Sequence, residues 1–75
     1  MNNEFPSKET VTRVRAAYPP VTRVELVEMD DPFTKLKPGD QGAVRFVDDA
    51  GGIHIRWDNG EGLAAVWGND TIRRL

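Results

Sequence analysis

The sequence predicts a mainly β domain: a small, strongly bent antiparallel barrel of about five strands, preceded by a short N-terminal helix. Three observations lead there. Ile53, Ile55 and Trp57 alternate with His54, Arg56 and Asp58, the period of two that a half-buried strand requires. Turn signals recur at close intervals, at Pro38-Gly39, Asp48–Gly52, Asn59-Gly60 and Gly68–Asp70. No helical run separates the apolar segments to serve as a crossover, which disfavours a parallel sheet.

At 75 residues the chain is one domain, and so short a chain buries only about 60% of its unfolded surface. Small domains often add a disulfide, a metal or self-association to a limited core. The chain has no cysteine and a single histidine, His54, so no disulfide, thiolate site or zinc site is expected, and no cofactor. A small core or a homo-oligomer remains. Ten Lys and Arg against 12 Asp and Glu leave a net charge of −2, which weighs against a nucleic-acid partner without excluding one. No apolar run approaches the ~20 residues of a membrane span. The first ten residues, MNNEFPSKET, lack the basic and apolar regions of a signal peptide. A cytoplasmic protein away from membranes is the expectation.

In chain order, residues 1–6 are polar and expected to be disordered, with Phe5 placed to staple onto a following helix. Ser7 is an N-cap, and Val11, Val14 and Tyr18 form a narrow stripe at helical spacing with Ala17 beside it. An amphipathic helix over 7–18 follows, stopped by Pro19-Pro20. It is too short to persist alone and must dock or fray. The barrel spans 21–75. Val21–Met29 carries Val24 and Leu26 on one face and Val27 and Met29 on the other, a clash of parity that predicts a bulge near Leu26–Val27. Asp30–Asp40 is a long connection, the kind that often carries function in a small domain. Phe33 and Leu36 are placed to tuck inward.

Gln41–Asp48 is the second strand, with Val44 and Phe46 inward and Arg45 and Val47 on the other face. Ile53–Asp58 is the third. Asn59-Gly60 predicts a two-residue hairpin turn with both residues at positive φ. Glu61–Trp67 returns as a fourth strand and Thr71–Leu75 closes the barrel. The predicted core is Val24, Leu26, Val44, Phe46, Ile53, Ile55 and Trp57. Short strands, frequent turns and one long loop after the first strand fit a bent barrel of SH3-like type.

These residues also carry a resemblance. Thr22–Val27, Met29-Asp30-Asp31-Pro32, Pro38-Gly39 with Gly42, the Asp48-Asp49 turn, Ile53-His54-Ile55 and Trp57-Asp58-Asn59-Gly60 resemble the bacterial and phage family catalogued as domain of unknown function 4314, over about residues 11 to 74. The resemblance implies an SH3-like barrel and no activity. The run from Gly39 through Gly42 and Val44, with the Trp57–Gly60 ending, is similar to the mind-bomb-type SH3-like domain, a protein-binding module. Its glycine pattern is also similar to the KOW motif of ribosomal and transcription-elongation proteins.

The chemistry-bearing residues point away from catalysis. The seven aspartates, Asp30, Asp31, Asp40, Asp48, Asp49, Asp58 and Asp70, fall in predicted turns, where Asp caps its own backbone. Asp30-Asp31 offers hard oxygen ligands to a divalent cation but lacks the spacing of a calcium loop. His54 alternates with core residues and has no nucleophile at a motif spacing. Arg23, Arg45 and Arg56 share a parity opposite the core and form a solvated, salt-bridged face in preference to a nucleic-acid surface. No glycine pattern for cradling phosphates is present. The sequence therefore predicts a non-enzymatic binding module contacting a protein or peptide, with Asp30, Asp31, Phe33 and Trp67 as the binding surface and Tyr18 as a further aromatic candidate. The alternative is a nucleic-acid-binding accessory protein of a bacterial, phage or mobile-element system.

Overall fold

Residues 7–29, 34–66 and 70–75 are described by the computed structural model. Among these residues a helix, α1 (Lys8–Ala17), precedes four strands: β1 (Arg23–Glu28), β2 (Gln41–Val47), β3 (Ile53–Trp57) and β4 (Thr71–Arg74). The strands form one sheet in the order β3-β2-β1-β4, each neighbouring pair antiparallel.

Ser7 starts α1 in an extended conformation, and its hydroxyl accepts the Thr10 N–H at 3.2 Å. This satisfies one of the donors that a helix N-terminus leaves orphaned. The helix docks on the sheet. Val11 is buried, and Val14 and Tyr18 pack against the core. Arg15, which the apolar stripe leaves out, is a strap. Its guanidinium donates to the Val47 carbonyl at 3.0 and 3.3 Å and to Asp49 Oδ1 at 3.2 Å.

After Pro19-Pro20 the chain turns on Val21, whose φ is +64°. The Thr22 N–H donates to the Pro19 carbonyl at 3.1 Å, so Val21 occupies the third position of a four-residue turn. That position at positive φ normally takes Gly or Asn. The Val21 N–H then reaches the Val44 carbonyl at 2.7 Å and hands the chain into β1.

The core is built from Val24, Leu26, Leu36, Val44, Val47, Ile53, Ile55, Trp57 and Ala65. Leu36 tucks inward. Phe33 lies outside the described residues, as do Phe5 and the rest of residues 1–6. The β1–β4 register slips between Leu26 and Glu28, placing the bulge at Val27. Gly42 allows β2 and β3 to approach closely: a Cβ there would lie 2.7 Å from the Arg56 carbonyl oxygen and 2.9 Å from Trp57 Cα.

Three expectations are corrected. Phe46 is not core; it is 47% exposed, while Val47 is buried. Val44 pairs with Ile55 but Phe46 pairs with His54, so Arg45 is an extra residue that reverses the parity of the strand beyond it. The turn after β3 is not a two-residue loop. Gly60 has φ +94°, Asn59 does not have positive φ, and the Gly60 N–H donates to the Trp57 carbonyl while the Trp57 N–H donates to that of Glu61, both at 2.9 Å. This is a three-residue loop ending in a left-handed glycine, the same pattern that Asp48–Gly52 forms around Gly51.

The sheet also does not close into a barrel. The expected fourth strand contributes a single bridge, Ala65 to Ile53, among the described residues. The preceding backbone is diverted because the Leu63 carbonyl accepts the Trp57 indole N–H at 2.7 Å.

Candidate binding surface

One side of the sheet holds the core. The other, open side carries Arg23, Ala43 and Arg56 in one cross-strand row, with Phe46 and His54 in the next row on β2 and β3. The bulge determines this arrangement. In the regular pleat Arg45 and Phe46 would point to opposite faces; with Arg45 as the extra residue both are exposed. The Phe46 and His54 rings stack, with centroids 4.2 Å apart and planes 11° from parallel.

His54 is oriented from below by Asp48. Its Nε2 lies 2.7 Å from Asp48 Oδ2. A carboxylate only accepts, so Nε2 carries the proton. Asp48 Oδ1 accepts the Ala50 and Gly52 N–H groups at 2.9 and 2.8 Å. The His54 hydrogen bond above all, helped by the Gly52 and Ala50 N–H groups, holds the Asp48 carboxyl below its ordinary range against the opposing effect of burial. Gly52 matters here because a Cβ would lie 2.7 Å from Asp48 Oδ2.

The carboxylates near this face are engaged. Asp58 takes a two-pronged contact from Arg23 at 2.9 and 2.6 Å. That hydrogen bond lowers the Asp58 pKa and raises that of Arg23. Glu25 takes Arg73 at 2.6 Å. Arg45 and Arg56 have no ion pair among the described residues. Of the three arginines that share a parity in the sequence, one is neutralised and two remain open beside the aromatic pair.

Of the remaining aspartates among the described residues, Asp40 and Asp70 cap turns and Asp49 pairs with an arginine of α1. Asp40 accepts the Lys37 N–H at 2.9 Å, Asp70 accepts the Val66 N–H at 2.8 Å, and Asp49 meets Arg15. Trp57 is fully buried, and Tyr18 is half-buried beside a shallow groove of about 270 Å³ between α1 and the sheet, lined also by Val14, Ile53, Val66 and Ile72. Asp30, Asp31, Phe33 and Trp67, the surface expected from sequence, lie outside the described residues. The pair that sequence reasoning missed is Phe46 with His54. Its signal was present, since adjacent apolar residues at Phe46 and Val47 conflict in parity as Leu26 and Val27 do.

The chain is therefore a small helix-plus-sheet domain that presents an open, arginine-flanked aromatic face. It belongs to the family described as Domain of unknown function (DUF4314), whose model matches residues 7–75. No curated protein matches the chain. No helix among the described residues is long and apolar enough to cross a membrane.

Proposed function

We propose that the chain is a small non-enzymatic binding module whose working surface is the open face of the β2–β3 hairpin. The observation that carries this reading is the exposed Phe46 stacked on His54, with Arg45 and Arg56, which form no ion pair among the described residues, beside it. An exposed aromatic fixed by a neighbour gives contact area with little ordering entropy left to lose, and arginine adds directed charge. The acid groups speak against acid–base work. A catalytic carboxyl pair needs pKa values driven apart, whereas Asp48 and Asp58 are both driven down, each by its own cation or ring partner. The His54 Nε2–H is taken by Asp48, with no hydroxyl bonded to the ring among the described residues.

An amide-shift titration with peptide pools, single-stranded RNA and DNA, and duplex DNA tests the reading. Shifts gathered on Ala43, Arg45, Phe46, His54 and Arg56 are expected with one of these probes. Shifts confined to other surfaces, or none with any probe, overturn it.

A further inference from the structure

We infer that this face binds single-stranded nucleic acid, with a base stacking on Phe46 and the adjoining phosphates on Arg45 and Arg56; the inference rests on the binding-module reading. Three observations converge. The bulge brings a cation and an aromatic ring, Arg45 and Phe46, to the same side of the sheet, where a regular strand would separate them. Phe46 is 47% exposed, and His54 stacks on one face of its ring and supports it in a fixed plane. A flat π-face held in place suits an unpaired base, whose own π-face is free whatever its identity. A duplex hides those faces inside its stack.

The charge fits as well. The net charge of −2 belongs to the whole chain; at this face Asp58 and Glu25 are paired with Arg23 and Arg73, while Asp48 keeps its charge and spends it on the His54 Nε2–H and the Ala50 and Gly52 N–H groups. The hairpin cations without an ion pair among the described residues are Arg45 and Arg56, with small Ala43 opposite Arg56 leaving a low point between them. Arg56 stands two residues from His54 on β3, about 6.6 Å along the strand, so one extended chain reaches both ring and guanidinium. Guanidinium pairs with phosphate oxygens in two-pronged geometry. An acidic peptide would use the arginines and leave the aromatic platform idle.

The test is fluorescence anisotropy with labelled oligo-dT and oligo-rU of about 12 nucleotides, beside a poly-Glu peptide and a duplex of equal length. Binding of the single strands over the duplex and the peptide is expected. Affinity should fall from about 50 to about 200 mM salt with a log–log slope near −1.4, about −0.7 for each of two phosphates. Phe46→Ala should weaken binding about tenfold or more. Phe46→Trp should restore it, and Arg56→Ala should reduce the slope by about 0.7. Melting curves confirm that the exposed substitutions leave the fold intact, and Phe46→Trp keeps the test informative if Phe46→Ala does not fold. Absence of oligonucleotide binding at the lower salt, equal binding of the duplex, or wild-type affinity in Phe46→Ala overturns the inference. If peptides shift this face and oligonucleotides do not, the inference fails and the binding module stands. If no probe shifts the face, both fail.

Discussion

Val21 is the residue most at odds with its place. A β-branched side chain in the left-handed region crowds its own carbonyl, at roughly 1–2 kcal/mol. Val21 is 80% exposed, so its side chain returns little packing for that strain. Val21→Asn is expected to stabilise the domain by about 1 kcal/mol, read as a raised urea midpoint, because Asn tolerates positive φ. Val21→Gly should gain less, since glycine also frees the unfolded chain. An unchanged or lowered midpoint for Val21→Asn would show that Val21 is unstrained or packs elsewhere. Asp48 sets a second expectation. Its pKa is lowered from 3.8 in the folded state, so its charge stabilises the fold above that pH, and the contribution is lost as pH falls through the lower, folded value. Asp48→Asn keeps an oxygen for the Ala50 and Gly52 N–H groups and removes the charge. The melting-point gap between wild type and variant should be present above pH 3.8 and close in stronger acid; a gap that does not change with pH would assign the whole effect to shape. It should be modest, because the Asp48 side chain is 38% exposed and screened by water.

At the scale of elements, α1 is part of the fold. Its contribution comes from Val11 buried outright, Val14 and Tyr18 packed on the core, and Arg15 closing the Val47 carbonyl. Those apolar groups together amount to about 3–5 kcal/mol. A 75-residue domain has only about 4–11 kcal/mol of net stability. Removal of residues 1–17 is expected to abolish the cooperative thermal transition seen by circular dichroism, and a sharp transition in the truncated chain would reduce α1 to an appendage. How far each element can be read from sequence depends on how local its cause is. The Ser7 cap and the Pro19-Pro20 stop act within a few residues and are plain in the sequence. The third strand is equally plain because Ile53, Ile55 and Trp57 alternate without a break. The turn at Asn59-Gly60 is less so, since its geometry depends on the Trp57 N–H choosing the Glu61 carbonyl. The second strand misleads because Phe46 and Val47 compete for the interior and side-chain size favours the phenylalanine, whereas the ladder with β3 buries the valine.

For the molecule as a whole, the sheet stays open where sequence predicts closure, and the reason is a long-range one. The Trp57 indole needs an acceptor once buried, and it takes the Leu63 carbonyl that a fourth strand would have used. The two ends of the sheet are treated differently. Ala65 bridges β3 at one end. At the other, β4 is short and carries Arg73 and Arg74, charges that discourage pairing with a second copy. Helix and sheet share one core, so the chain is expected to unfold as a unit. In native-state hydrogen exchange, the amides in the last turn of α1 should open with the same free energy as those of Val24, Leu26 and Val44. Exchange of the helix through a much cheaper opening would separate it from the sheet. The candidate surface was partly legible at this scale: the shared parity of Arg23, Arg45 and Arg56 is visible in the sequence, but the withdrawal of Arg23 by Asp58 and the arrival of Phe46 beside Arg45 depend on cross-strand partners.

The extra residue in β2 has a consequence for insertions and deletions. Without Arg45, Val44 would still face Ile55, Phe46 would still face His54 and Val47 would still face Ile53, now in an unbroken alternation. The strand is one residue longer than its hydrogen-bonded ladder needs. A chain shortened by Arg45 alone should therefore keep its melting transition, losing only the local bend and one of the two guanidinium groups beside the aromatic pair. Few positions inside a strand can be skipped in this way, and this one lies beside the aromatic pair.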